Sequence, residues 1–457
     1  MTRSLTSNPR IAKIAVLLLA GLFVSPHAEH NKTDIAGHWA GAFTRYGAVQ
    51  EITIDFQETD TGWVGSYDIP DLILYREPIP DIVVTAETLA FRVFWGSFTC
   101  LIHDEIGEIT GENRNWNPPV SIHLKRGPDL HHMRTEKVQF PSESLLLAAD
   151  LLIPDGRPPF PAVIVIEGST TEGRALWTYR SIGDLFARNG IAALIYDKRG
   201  VGQSDGNIDS VTIDDLASDA VNAVQYLTNR DDIDSESIGL VGISQGGWLA
   251  PLAANRSGHV SFVVLLAGPA VSIWQQELHR VEYSMRTGFY GEDEPDVFSE
   301  EEIEAAIAHT RLGFDVAQNP EKWKDWEISV VSAKSTSWAD YVRLDSTLND
   351  LQGWLRFRYE PSEVLQKLRI PALAIFGGDD VFVPPAENVP LLERYLSAAG
   401  NKRSRVVVFA NVGHDFFAGA TLVGREWAWP SGFWRWNRRA VGLADTIISW
   451  SRQQVLR

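Results

Sequence analysis

Cysteine is almost missing from this chain. Cys100 is the single one in 457 residues, which excludes an internal disulfide and any thiolate-rich metal centre. Positive charge is in deficit, with 41 Lys and Arg against 59 Asp and Glu and a formal net charge of −18. Such a surface repels nucleic acid and anionic membrane, and it is a poor host for the phosphates of coenzyme A. The apolar run at 14–24 is far shorter than the roughly 20 residues a bilayer span needs. No His, Cys and acid spacing typical of a metal site occurs, and no Gly-rich phosphate cradle, so no cofactor is expected. His103, His123 and the pair His131-His132 read as core or surface histidines.

What is present divides the chain. Arg3, Arg10 and Lys13 precede the short apolar run, and residues 1–28 read as an export signal removed after Ala28, although Pro26 stands where a small residue is usual. Removal takes away three positive charges and no acid, and the mature protein is expected outside the cytoplasm, periplasmic or secreted, without membrane insertion. Residues 29–128 read as a small β-rich domain. Apolar and polar residues alternate at 51–56, around 63–67 and at 89–94, with Gly, Asp and Pro between, which suggests an antiparallel barrel or sandwich. A linker is expected at 126–129.

From about 135 to 457 strand and helix alternate, the grammar of a mostly parallel sheet covered on both faces. Two introductory strands (135–140, 145–153) lead to buried strands at 162–166, 191–196, 238–243, 261–267, 372–376 and 405–409. Helices are expected at 179–189, 213–228, 386–399 and 440–452. Residues 271–368 interrupt the alternation with acidic helices and scattered Trp, and read as a helical cap over the strand ends. Trp274, nearest the strand end, is expected to shape an apolar pocket in which each buried methylene is worth about 0.8 kcal/mol. The 16 Trp include a dense group, Trp427, Trp429, Trp434 and Trp436 with Phe433, which reads as packing.

The chain is organised around 238–254. An apolar strand ends in Gly242-Ile243-Ser244-Gln245-Gly246-Gly247-Trp248 and a small-residue helix follows. A sharp strand-to-helix turn would push the hydroxyl of Ser244 out over the sheet edge, and the flanking glycines permit the turn. A second Gly-x-Ser-x-Gly, Gly202-Gln203-Ser204-Asp205-Gly206, is separated from its strand by Asp197-Lys198-Arg199-Gly200 and followed by polar residues, so Ser204 reads as a loop residue.

Ligands of such sheets bind outside the carboxyl ends of the strands. Two further segments sit there, Gly377-Gly378-Asp379-Asp380 and Asn411-Val412-Gly413-His414-Asp415. A serine nucleophile needs an imidazole base and a carboxylate to hold its other nitrogen. His414 is the only histidine after His309, and Asp379 and Asp380 compete as the acid.

The stretches 197–204, 242–248, 377–384 and 413–415 resemble the α/β-hydrolase family, and within it bacterial carboxylesterases with an extra N-terminal β domain. The resemblance implies an α/β-hydrolase sheet with a helical cap, preceded by a small antiparallel β-rich domain. It also implies that Asp380, fourth in Gly-x-x-Asp-x-x-Val-Pro, is the acid. Gln245 N–H and Ser169 N–H are then expected as the oxyanion donors. The chain departs from the family at Glu167, where His is usual, and Arg174 is the expected partner for that carboxyl.

The leading reading is a serine carboxylester hydrolase acting on small-molecule esters through an acyl-enzyme. An exopeptidase or amidase, or a thioesterase, would use the same Ser244, Asp380 and His414. A non-catalytic carbohydrate or peptide binder is the alternative of another class.

Overall fold

The computed structural model describes residues 34–455 except 46–47, 94–95, 118, 128–132, 288–297, 419–420, 424–425 and 429–437. The expected export signal, the second half of the expected linker, and most of the Trp group after 427 lie outside the described residues. No helix among the described residues is long and apolar enough to cross a membrane.

The first unit is a nine-stranded antiparallel sheet built from Gly37–Arg45 through Val120–Arg126. Its strands form because apolar residues alternate. In Val120–Arg126, Val120, Ile122 and Leu124 are buried while Ser121, His123 and Lys125 face out. The rings of Phe56 and Phe91 lie 5.9 Å apart although their strands, Ala48–Thr59 and Thr88–Val93, sit five places apart in the sheet. A flat sheet would separate strands five places apart by roughly 24 Å. The sheet is therefore curled around one core that also holds Trp39, Phe43, Ile54 and Phe98. It is one curled sheet, not two packed ones.

The second unit is an eight-stranded sheet: β1 (Met133–Ser142), β2 (Leu145–Pro154), β3 (Phe160–Ile166), β4 (Ala192–Tyr196), β5 (Ile233–Ile243), β6 (Val260–Leu266), β7 (Ala372–Gly377) and β8 (Ser404–Phe409). Their order is β1-β2-β4-β3-β5-β6-β7-β8. The first two pairings are antiparallel and the rest parallel. Strands β3, β4 and β7 are buried on both faces, so they read as continuous apolar runs instead of alternating ones.

Helices cover both faces: α1 (Trp177–Ala187), α2 (Ile213–Thr228), α3 (Gly246–Arg256), then α4 (Ile273–Thr287), α5 (Glu300–Gln318), α6 (Trp323–Ala333), α7 (Leu348–Gln352) and α8 (Pro361–Leu365) between β6 and β7, and finally α9 (Pro385–Ala398) and α10 (Leu443–Val455). Helix α2 starts where a capping box allows it, with Thr212 and Asp215 bonding each other's backbone N–H. Its apolar stripe, including Ile213, Leu216, Ala220 and Leu227, is buried.

The two units meet through a short stretch after the third N-terminal strand. Arg76 donates to Asp184 at 2.5 Å and to Thr135 at 2.6 Å, and Arg188 pairs with Asp68 at 2.8 Å while lying over the ring of Tyr75. Arg180 pairs with Glu77. Ile73 leaves the N-terminal core altogether and packs in the hydrolase-side core with Tyr179 and Phe416.

Candidate active site

Ser244 follows β5 directly and opens α3 with a left-handed backbone, φ +52°. For a residue with a Cβ that conformation costs of order 1–3 kcal/mol and persists only where the surroundings impose it. They do so here by close backbone contact. A Cβ on Gly242 would stand 2.1 Å from the carbonyl oxygen of Gly246, and one on Gly246 would stand 2.4 Å from that of Ile166. Ser244 N–H donates to Leu266 O at 2.9 Å, which fixes the turn to the neighbouring strand.

Asp380 and His414 come from the loops after β7 and β8. Those loops are pinned together by Gly378 N–H to Phe409 O (2.7 Å) and Asp379 N–H to Val412 O (2.9 Å). His414 Nδ1 lies 2.8 Å from Asp380 Oδ2. The other carboxylate oxygen of Asp380 accepts Phe382 N–H and Val383 N–H, at 2.9 and 2.8 Å. Asp380 is 3% exposed, whereas the side chain of Asp379 is on the surface. Burial disfavours a charged imidazole, but the charge and hydrogen bond of Asp380 outweigh it, and His414 titrates above its ordinary range.

Ser244, His414, Gln245 and Ser169 all line one cavity of about 430 Å³, the size of a small-molecule site. Among the described residues no hydrogen bond joins Ser244 to His414, and neither Gln245 N–H nor Ser169 N–H has a protein acceptor. Both amides are free to receive a developing negative charge. The N-terminus of α3 adds its partial positive charge at the same place. Ser204, by contrast, has its hydroxyl occupied. It donates to Asp197 O at 2.7 Å and accepts Ala148 N–H at 2.9 Å, holding the 197–206 loop to β2.

The Ser169 loop is held from two sides. Tyr179 OH accepts Gly168 N–H at 2.9 Å and bonds the Thr170 hydroxyl at 2.8 Å. Lys198 Nζ donates to the carbonyls of Gly168 and Thr170, at 2.5 and 2.9 Å. Arg174 does not partner Glu167. It pairs with Asp197 and, at 3.2 Å, with Asp150, because both carboxylates sit within its reach where the 197–206 loop folds back. Glu167 is 1% exposed and without a hydrogen-bond partner among the described residues. Burial raises its pKa to about 7 against the pull of Lys198, and burial lowers that of Lys198. Lys198 is thus the cation that faces the buried Glu167 carboxyl behind the Ser169 loop.

The cap meets the site through α4. Gln276 donates to Phe382 O, and His279 Nε2 lies 2.8 Å from Val381 O, so this helix braces the acid loop. Ile273, Gln276, Glu277, Arg280 and Tyr283 face the cavity. Trp274 does not. One residue along a helix is about 100° of rotation, which turns Trp274 away from the Ile273 face and against Phe314, ring centroids 4.4 Å apart. The cap face of the cavity is therefore mostly polar. Trp326 and Trp338 stay inside the cap, where His309 packs against both.

Ile73 and Arg439 also line the cavity. Neither was legible as a site residue, since Ile73 belongs to the other unit and Arg439 stands in no motif. Lys198 carried a readable signal, its position just past a strand at the carboxyl edge of the sheet. Among the described residues no three His, Cys, Asp or Glu side chains gather as metal ligands.

A family profile of the alpha/beta hydrolase fold matches residues 161–420, more than half of the chain and all three of these strand-end segments. The chain belongs to the α/β-hydrolase family. Similar proteins include Esterase EstD of Thermotoga maritima, 25% identical over 285 residues, which are 60% of this chain and 58% of that one. The α/β-hydrolase chain thus spans little more than half the length of that relative. An Escherichia coli protein described as an uncharacterized 31.7 kDa protein of the traX-finO intergenic region is 23% identical over 55% of this chain and 83% of its own. Among solved structures, Est1E of Butyrivibrio proteoclasticus with ferulic acid bound aligns with a TM-score of 0.42, 16% identity, 70% of this chain and 98% of that one. A Pyrococcus furiosus esterase gives 0.40, 16%, 62% and 84%.

Proposed function

We propose that this α/β-hydrolase cleaves carboxylic esters of small molecules through an acyl-enzyme. Ser244 is the nucleophile, His414 the base that takes its proton and returns it to the leaving alcohol, and Asp380 the carboxylate that fixes the imidazole tautomer. Gln245 N–H and Ser169 N–H receive the oxyanion. The observation that carries this reading is the strained backbone of Ser244 at the mouth of a cavity it shares with an Asp380-held His414. The similarity to Esterase EstD supports it. Residues 1–28 complete the reading as an export signal, which N-terminal sequencing of the protein from a periplasmic fraction tests.

A fluorophosphonate should label the protein once, on Ser244. Ser244→Ala should lower ester turnover by roughly 10⁴ to 10⁶ and abolish labelling. Label on Ser204, or none on folded protein, would sink the assignment. p-Nitrophenyl esters run beside aminoacyl p-nitroanilides decide between esterase and peptidase, and turnover of the anilides alone would move the reading to the peptidase.

A further inference from the structure

Arg439 sits just before α10 and is 8% exposed, yet it lines the cavity. Its backbone N–H donates to Asp71 O at 2.7 Å and its Nε to Leu72 O at 3.2 Å, both in the N-terminal unit. Its guanidinium carbon lies 4.6 Å from the ring centroid of Trp177 and 4.5 Å from that of Phe417. These contacts hold the group in one place but satisfy a single one of its five N–H donors. Among the described residues no carboxylate forms an ion pair with it, and Asp415, also on the cavity wall, attracts it only through space. Arg280, the other arginine of the cavity, is by contrast matched: it bonds Glu277 at 2.8 and 2.7 Å and donates to Tyr341 O.

Burying a guanidinium without a paired anion is costly, and a protein tolerates it where something else completes the pair. Burial lowers the pKa of Arg439 to about 10, so it stays charged at neutral pH. The planar fork, with its ring contacts and its Nε already fixed, is pre-organised for a two-point bond to a carboxylate.

We propose that Arg439 recognises a carboxylate on the substrate, so that the preferred ester carries an anionic group on its acyl or its alcohol part. This rests on the serine-hydrolase reading of the cavity. It also gives the N-terminal unit a part in specificity, because that unit holds the arginine by two backbone carbonyls.

Two matched pairs of esters test it. In one, the mono-p-nitrophenyl ester of glutaric acid is compared with p-nitrophenyl 5-methylhexanoate, in which two methyl groups replace the carboxylate oxygens. In the other, 3-carboxyphenyl butyrate is compared with 3-isopropylphenyl butyrate. The wild type should favour the anionic member of at least one pair in kcat/KM. Arg439→Gln should shrink that anionic-to-neutral ratio by roughly 100-fold, the scale of truncating one partner of a buried charge pair. Arg439→Lys should fall between, keeping the charge without the fork. If Arg439→Gln does not fold, the wild-type ratios still decide, together with inhibition of neutral-ester hydrolysis by free butyrate but not butyramide. A wild type that prefers the neutral member of both pairs, or a Gln variant that lowers both members by one factor, overturns the proposal. Turnover of neutral esters with Ser244 labelled keeps the hydrolase reading alive even then. Loss of turnover on all four esters together with loss of labelling defeats that reading and this one with it.

Discussion

The two sheets of this protein solve the same burial problem in opposite ways, and the candidate site is built on only one of them. The N-terminal sheet is antiparallel, so its connections alternate between its two ends and successive loops leave from opposite sides. The eight-stranded sheet runs parallel from β4 to β8, and the loops after β3, β5, β7 and β8 leave from one edge. Ser169, Ser244, Asp380 and His414 come from those four loops. The curled sheet supplies instead what a rigid body can lend to a neighbour's site: Ile73 as cavity wall and the carbonyls of Asp71 and Leu72 as a mount for Arg439.

After Ser244→Ala, the largest effect should come from the acid. Asp380→Asn is expected to lower kcat by about 10⁴, because the tautomer of His414 is then no longer enforced. Asp379→Asn should stay within about threefold of wild type by steady-state kinetics. Equal losses would mean that the convergence of loops after β7 has been misassigned.

Next, two residues of the N-terminal unit should separate. Trp39→Ala empties the curled core and should cost about 3–5 kcal/mol in chemical denaturation. Ile73→Ala should instead raise KM for neutral esters by roughly tenfold at most, the scale of about two methylenes of lost wall contact. If Ile73→Ala left KM untouched, the N-terminal unit would be a neighbour of the site and not a wall of it.

The pH profile gives a smaller, signed effect. In the proposed mechanism His414 serves as base only when neutral, and the Asp380 carboxylate favours its charged form. Activity should therefore fall as pH drops through a midpoint above the ordinary histidine value of about 6.5 in kcat/KM. In Asp380→Asn, whatever activity remains should show that limb displaced to lower pH. An unmoved limb would mean that another group controls it.

The smallest effect belongs to the cap. Trp274→Ala should change the chain-length profile of p-nitrophenyl esters by less than about twofold, since the ring packs on Phe314, whereas Ile273→Ala should shift it. A shifted profile in Trp274→Ala would restore the aromatic pocket expected from the sequence.

Much of the architecture could be read before any coordinate was known, because it rests on local rules. A strand buried on both faces must be an apolar run, as at 162–166, and a helix such as Ile213–Thr228 announces itself by its cap and its stripe. The Gly242-x-Ser244-x-Gly246 turn is equally local, since its backbones approach too closely for a Cβ. Asp380 over Asp379 needed a family pattern, for two adjacent carboxylates look alike until one of them points at an imidazole.

What the chain could not disclose by itself is everything set by contact between distant segments. Arg174 looked able to meet Glu167, and only the fold of the 197–206 loop assigned it to Asp150 and Asp197 and left Lys198 beside Glu167. Trp274 and Ile273 are neighbours in sequence, and the rotation of α4 against the sheet decided which one meets the cavity. The sequence determined the strands and the elbow, because backbone geometry and periodicity act over a few residues. The tertiary structure alone decided which side chains wall the cavity, from Ile73 of one unit to Arg439 near the end of the other, because burial and pairing depend on what arrives from elsewhere in the chain.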